Sequence, residues 1–209
     1  MTADATIIGT ANVPLPTDAE LNNAHLYKSL PVEKIFGRAI YALISNLAEQ
    51  LCFTDHTQPW LFNADEFHSY SQSSEAIAAF IRFIRYGRKS QAAVVVGSHD
   101  AEADFADETL RGLIKNKLVL RLTDEKLAAK AATFLGADPT KDRQLHAELS
   151  DKIRQLSPDP DGKGVPEDRR GEGIYLDPRG RLADVTVLRP ALEERFAAAN
   201  TTPPDQDTP

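Results

Sequence analysis

Residues 59–67 read PWLFNADEF, and this stretch decides the fold prediction. The apolar residues from Trp60 to Ala64 predict a buried strand that ends at Asp65 and Glu66. In an open parallel sheet, ligands bind at the carboxyl ends of the strands. The stretch therefore predicts a strand that delivers two carboxylates to the edge of a sheet where ligands bind.

The sequence on either side alternates strand and helix patterns. Apolar residues at helical spacing predict helices from Pro31 to about Thr54 and from Ser74 to Tyr86, and the β-branched run Ala92–Gly97 predicts a second buried strand. The remaining expected elements are a strand over Ala5–Ala11, a helix over Glu108–Ile114, a strand over Leu118–Leu122, helices over Asp124–Leu135 and Lys141–Leu156, and a β-hairpin from Ile174–Leu176 to Val185–Leu188. This alternation is typical of an α/β fold with a mostly parallel sheet flanked by helices.

Composition shifts along the chain predict its domain organisation. The main α/β domain is expected over residues 1–156, and the stretch over 157–173, rich in Pro, Gly and charge, is expected to be a flexible linker. A C-terminal β-hairpin and short helix are expected over 174–196, and a disordered tail over 197–209.

Length, charge and cysteine content exclude several classes of protein. The 209 residues carry a net charge of −7, which disfavours a strongly basic nucleic-acid binder. The single cysteine, Cys52, excludes an intrachain disulfide and a cysteine-ligated structural zinc. No apolar run approaches the roughly 18 residues of a membrane span, and the first residues lack the pattern of a secretory signal. The expected location is therefore the cytoplasm.

The acidic pair after the first strand has the form of a Walker B motif. In such a motif Asp65 would hold the Mg²⁺ ion that bridges nucleotide phosphates, and Glu66 would act as a general base toward the attacking water. The plainer interpretation is that the strand simply ends in solvated acids.

Ser98 and His99 follow the second predicted strand, in the place of a polar sensor that hydrogen-bonds the γ-phosphate. A loop histidine without a role is an equally simple interpretation of His99. The third open interpretation is a metal-dependent enzyme of an unrelated family that uses Asp65, Glu66 and either His68 or His99.

The stretch IRFIRYGRKS, residues 81–90, groups four cations: Arg82, Arg85, Arg88 and Lys89. A solvated basic face of a helix is the plain interpretation. Alternatively, Arg85 or Arg88 acts as an arginine finger in a neighbouring subunit, or Arg82 and Lys89 contact DNA phosphates. GRKS itself is not a phosphate-binding loop, because its first glycine and spacing are absent and it follows a helix.

Several segments in order resemble the C-terminal half of the VirB/TraC-type conjugative-transfer ATPases of type IV secretion, which are related to the FtsK/HerA motors. The matching segments are IIGTANVPLP, GRAIYALISNLAEQ, LFNADEF, FIRYGRKSQAAVVVGSHD and LRGLIKNKLVLRLTDEKLAAKAATFLG, and GEGIYLDPRGRLADVTV resembles the terminal hairpin of actinobacterial members. The resemblance implies a RecA-like ATPase domain that binds ATP and Mg²⁺ and works as a hexamer. It implies partners among the membrane components of the secretion apparatus, DNA as a further partner, and a position at the inner face of the membrane. By position, Asp65 and Glu66 match the Walker B acids, Arg85 and Arg88 match basic positions, and Ser98 and His99 replace a Thr-Gln sensor.

One expected part is absent from the sequence. The 209 residues contain no GxxxxGK[ST], the loop that cradles nucleotide phosphates. The sequence is therefore interpreted as an incomplete RecA-like sheet without its phosphate-loop strand, from a truncated reading frame or half of a split ATPase, and inactive alone. The alternatives are a non-catalytic interaction module that docks on a full-length ATPase and the metal-dependent enzyme described above.

Overall fold

The structure, a computed structural model, describes residues 5–10, 12–54, 56–160, 162, 164–188, 190–192 and 194–195. The chain forms a mixed α/β fold in two compact units, Met1–Ile114 and Lys115–Pro209. The helices are α1 (Asp18–Asn22), α2 (Ala24–Lys28), α3 (Val32–Thr54), α4 (His68–Ser71), α5 (Ser74–Tyr86), α6 (Glu108–Leu113), α7 (Glu125–Phe134) and α8 (Arg143–Gln155). The strands are β1 (Trp60–Ala64), β2 (Ala92–Val96), β3 (Lys117–Val119), β4 (Glu172–Leu176) and β5 (Leu182–Thr186), and short 3-10 helices cover Gly87–Ser90 and Glu167–Arg169.

The first unit is built around the parallel pair β1–β2, in which Trp60 lies opposite Ala92 and Ala64 opposite Val96. Helix α5 joins the two strands, and its start is capped by the Ser73 hydroxyl, which accepts a hydrogen bond from the Ala76 amide. Aromatic rings fill the space between the sheet and the helices. Phe62 of β1 lies 5.3 Å from the ring of Phe80 in α5, so the strand and the helix share one core.

The second unit places helices α7 and α8 against the antiparallel sheet β3–β4–β5. Its core contains alanines and leucines of α7 and α8 together with Val119 of β3 and Ile174 of β4. Both helices start at aspartate caps: the carboxylates of Asp124 and Asp142 accept backbone amides at 2.9 Å. Gly136 ends α7 in the left-handed conformation, at φ 100°, as the glycine in the sequence predicts.

The long helices, the two parallel strands and the terminal hairpin agree with the sequence predictions, but the predicted mostly parallel sheet is wrong. The only parallel pair among the described residues is β1–β2, because β3 pairs antiparallel with β4. The compact units accordingly divide after Ile114, inside the domain expected over 1–156, and the stretch 157–173 lies within the second unit. Its ends are joined, since the Ser157 amide donates to Glu172 Oε2 at 2.6 Å. The tail predicted over 197–209 lies outside the described residues, as does the end of the short helix expected before residue 196.

The strand predicted over Ala5–Ala11 is also wrong, for no strand forms over residues 5–10. The Ile7 side chain is 96% exposed, because no neighbouring strand in the described part of the chain pairs with this segment. Position 11 lies outside the described residues.

The strands β1 and β2 are covered on one face only, which corrects the prediction of two buried strands. Leu61 and Val95 point away from the aromatic core and are 64% and 53% exposed. Helix α3 likewise exposes a row of apolar side chains, called here the α3 stripe: Val32, Ile35, Phe36, Ile40, Leu43, Leu47 and Leu51. Parallel sheets are normally covered on both faces, so the first unit leaves apolar surface that resembles core.

Candidate functional site at the carboxyl edge of the parallel pair

The two parallel strands bring the predicted acids and the predicted sensor residues to one edge of the sheet. The Gly97 amide donates to the Ala64 carbonyl at 3.0 Å, and the Phe67 amide donates to the Gly97 carbonyl at 2.8 Å. These bonds hold the loop after β1 against the loop after β2. Asp65–Glu66 and Ser98–His99 therefore leave the sheet side by side, as the sequence predicts for neighbouring parallel strands.

Asp65 lies against the backbone of the loop after β2. Its Oδ1 accepts the Glu66 amide at 3.2 Å, and the side chain is exposed. A Cβ atom at Gly97 would lie 2.8 Å from Asp65 Oδ1, so the glycine provides the room that this carboxylate occupies. An exposed carboxylate at the carboxyl end of a strand is of the oxygen type that Mg²⁺ prefers.

Glu66 has an unusual backbone and two histidine neighbours. Its φ of 56° lies in the left-handed region, which costs a residue with a side chain about 1–2 kcal/mol. The next residue, Phe67, is fully buried and anchors the turn. The Glu66 carboxylate contacts His68 through Oε2 and His99 through Oε1, each at 3.3 Å.

Ser98 and His99, the predicted sensor pair, contact acidic side chains in this structure. The Ser98 hydroxyl donates to Asp104 Oδ2 at 2.6 Å, and Asp104 is 8% exposed. His99 is 84% exposed in its side chain and touches Glu66. Asp104 was not predicted as a site residue, although residues 98–105 carry three acidic side chains, which was the available signal.

The predicted basic residues lie away from the acids. Arg82 forms a bidentate pair with Glu49 at 2.7 and 2.6 Å, and these hydrogen bonds raise the pKa of Arg82. Arg85, Arg88 and Lys89 are exposed, and within the described residues no ion pair or hydrogen bond engages their side chains. They precede β2, at the amino edge of the sheet, because α5 runs back along the strands. Five strand residues span about 16 Å, so the structure does not bring these cations to the acids of the same chain.

No group of three or more His, Cys, Asp or Glu side chains among the described residues is placed to hold a metal ion by itself. None of the helices there combines the length and apolarity needed to cross a membrane. GRKS forms the 3-10 helix Gly87–Ser90 after α5.

Paired acids beside a polar loop, at the carboxyl edge of parallel strands, define an α/β protein with the layout of a nucleotide-binding site. The family model of the AAA-like domain matches residues 1–198, and the chain belongs to this family of P-loop ATPases. A comparison with curated proteins finds no match.

Proposed function

We propose that this chain is the Walker B-bearing portion of a VirB/TraC-type ATP-driven motor with a RecA-like fold, which acts in conjugative DNA transfer or type IV secretion. The observation that carries the proposal is the placement of Asp65 and Glu66 at the carboxyl edge of β1, in a chain of the AAA-like family. Position at the cytoplasmic face of the membrane, through membrane components of the secretion apparatus, is part of the same proposal.

The acids fit the metal side of a nucleotide site. Asp65 would hold Mg²⁺ through water, since its carboxylate is exposed beside the gap left by Gly97. Glu66 would accept a proton from the attacking water while the water oxygen bonds the γ-phosphorus and the bond to the ADP oxygen breaks. Ser98 lines the same edge and would contact the γ-phosphate side of the nucleotide, whereas His99 contacts Glu66.

The phosphate side requires groups from outside these 209 residues. A phosphate loop supplies backbone amides and a lysine to the β- and γ-phosphates, and the sequence contains no GxxxxGK[ST]. We therefore expect the chain alone to turn over little ATP, and a phosphate-loop polypeptide of the same family to restore hydrolysis.

The unpaired cations support action between subunits. Arg85 and Arg88 precede β2 and the acids lie at the opposite, carboxyl edge of the sheet, so the length of the strand, about 16 Å for five residues, separates the two groups. In a head-to-tail oligomer, proposed here as a hexamer, they would face the nucleotide of the next subunit as arginine fingers. Lys89, with these arginines, is the proposed contact for DNA phosphates, whereas the guanidinium of Arg82 is already paired with Glu49.

The test measures Mg-ATP hydrolysis by residues 1–209 alone and mixed with a polypeptide that carries the family's phosphate loop, using Glu66→Gln as the matched catalytic variant. We expect no turnover by the chain alone above the Glu66→Gln level, and turnover in the mixture that Glu66→Gln abolishes. Robust hydrolysis by the chain alone, lost in Glu66→Gln, would contradict the need for a second polypeptide. A mixture that binds nucleotide yet never hydrolyses it would contradict the motor itself.

A second candidate function is a non-catalytic module that docks on a full-length ATPase and regulates its assembly. The α3 stripe and the exposed side chains of Leu61 and Val95 favour it, because contiguous exposed apolar surface marks protein interfaces. Co-purification with a full-length family member that persists in Asp65→Ala and loses strength in Phe36→Ala would support this function. Loss of co-purification in Asp65→Ala would instead favour the catalytic proposal.

A further inference from the structure

We infer that His68 and His99 are positioning residues that together hold the Glu66 carboxylate at the edge of the sheet. The inference rests on the proposed function, in which Glu66 is the general base. It adds two residues whose contribution is the direction of that carboxylate rather than contact with the nucleotide. Each imidazole contacts a different oxygen of Glu66, at 3.3 Å.

The backbone of His68 is held in place by its buried neighbours. His68 begins α4, and the next residues, Ser69 and Tyr70, are 6% and 7% exposed, so its backbone is tied to the core. Its Nε2 lies 3.3 Å from the Ser69 hydroxyl, while its Nδ1 faces Glu66. The two ring nitrogens of His68 thus face two different partners, the carboxylate of Glu66 and the hydroxyl of Ser69.

The second contact to Glu66 comes from the loop after the other strand. His99 follows β2 and is 84% exposed in its side chain, and its Nε2 contacts Glu66 Oε1. The carboxylate therefore joins the loops that leave two neighbouring strands. Contacts from two loops restrict a side chain that is 53% exposed and would otherwise sample many rotamers.

The arrangement leaves Glu66 competent as a base. Each carboxylate oxygen has two lone pairs. Oε1 accepts one N–H, from His99 Nε2, and Oε2 has only the 3.3 Å contact with His68 Nδ1, so each oxygen retains a lone pair for water. The backbone of Glu66 is in the left-handed conformation, and this strained conformation costs stability. A general base needs carboxylate oxygens that are fixed in position and keep a free lone pair, and the two oxygens of Glu66 meet both conditions.

The first arm of the test is the imidazole ¹⁵N NMR spectrum of the full chain, which has five histidines. Glu66→Gln replaces the shared carboxylate by a neutral amide, so the signals of His68 and His99 should both move. The signals of His25 and of His146, which contacts Ala129 and Thr133, should stay. Glu33→Gln, at an exposed carboxylate on α3, is the matched control and should move none of them. Unchanged signals for either His68 or His99 in Glu66→Gln would overturn the inference.

The second arm is turnover in the reconstituted hydrolysis assay. His68→Ala and His99→Ala should each lower kcat about tenfold with KM unchanged, because misplacement of a catalytic group by about 1 Å costs up to about 10²-fold. His99→Gln, whose amide still donates a hydrogen bond, should recover part of the loss, and His25→Ala should match the natural chain. If the signals of both histidines move in Glu66→Gln but kcat is unchanged in both alanine variants, the positioning role is overturned. Absence of turnover in every chain, with the NMR response intact, would refute the proposed function and leave the histidine contacts to Glu66 established.

Discussion

Replacing Phe67 by alanine should destabilise the first unit far more than the same replacement at Phe36. Phe67 is fully buried, and its ring lies 4.9 Å from Phe80 and 5.2 Å from Phe105. Removing it leaves a cavity and breaks these aromatic pairs, so we expect a loss of about 3–5 kcal/mol in the free energy of unfolding. Phe36 lies on the α3 stripe at 64% exposure, and since full burial of such a side chain is worth about 1.5–3 kcal/mol, its removal should cost about 0.5–1 kcal/mol.

Urea unfolding followed by tryptophan fluorescence measures both values, because the single tryptophan, Trp60, begins β1 in the same unit. The two variants share the same chemistry, so the difference between them isolates burial. Losses that are equal within about 1 kcal/mol would refute the reasoning, since they would mean that the α3 stripe is covered in solution. Repetition over a range of chain concentrations identifies self-association as the cause of such a result, because a cover formed by a second copy is lost on dilution.

Three further predictions test the backbone and one ion pair. Glu66→Gly removes about 1–2 kcal/mol of strain from the left-handed backbone and adds about 0.5–1 kcal/mol of conformational entropy cost. Urea unfolding should therefore show an unchanged or slightly raised free energy of unfolding. A clear loss would contradict the strained conformation. Gly87→Ala would place Cβ 2.4 Å from the backbone oxygen of Ala92 in β2, so the free energy of unfolding in the same measurement should fall by about 1–3 kcal/mol. Gly112→Ala is the control, because its Cβ would meet no atom within 4 Å, and it should be neutral or stabilising. Hydrogen bonds from Lys34 above all lower the pKa of Glu20 from 4.5 to about 2, so its stabilising effect is full above pH 4.5 and is lost as the pH falls toward 2. Thermal unfolding of Glu20→Gln should therefore differ from that of the natural chain at pH 6 and converge with it near pH 2; a constant difference would contradict the shift.

Local sequence patterns predict where a strand begins and ends, but they do not predict which strand it pairs with. The acids of PWLFNADEF fall at the end of β1 because a short apolar run followed by polar residues fixes both the strand and its terminus. The partner of β3 is different: Lys117 pairs with Leu176, and nothing near Lys117 in the sequence specifies a partner so distant in the chain. The mostly parallel sheet was predicted from alternation alone, which does not report which strands pair.

The contacts of the candidate site show the same limit. The sequence places Glu66 and His99 after adjacent strands, which is enough to predict proximity but not that the two side chains touch. Exposure of Leu61 could not be predicted, because an apolar residue in a strand looks the same whether or not another layer covers it. Likewise, the left-handed backbone at position 66 could not be predicted, because this conformation is usual for glycine and the residue here is a glutamate.

The charges at the two edges of the parallel pair favour a head-to-tail contact for the proposed motor over a two-fold contact through either edge. Asp65 and Glu66 are exposed at the carboxyl edge of β1, and the cations of GRKS are exposed at the amino edge of β2. A two-fold contact through the carboxyl edge would set acids against acids, and one through the amino edge would set cations against cations. A head-to-tail contact instead sets the cations of one chain against the acids of the next, and it repeats around a closed ring when its rotation closes, as in the proposed hexamer. Because the five-residue strand between the two edges holds them about 16 Å apart, no movement of the Arg85 or Arg88 side chain within one chain replaces that contact.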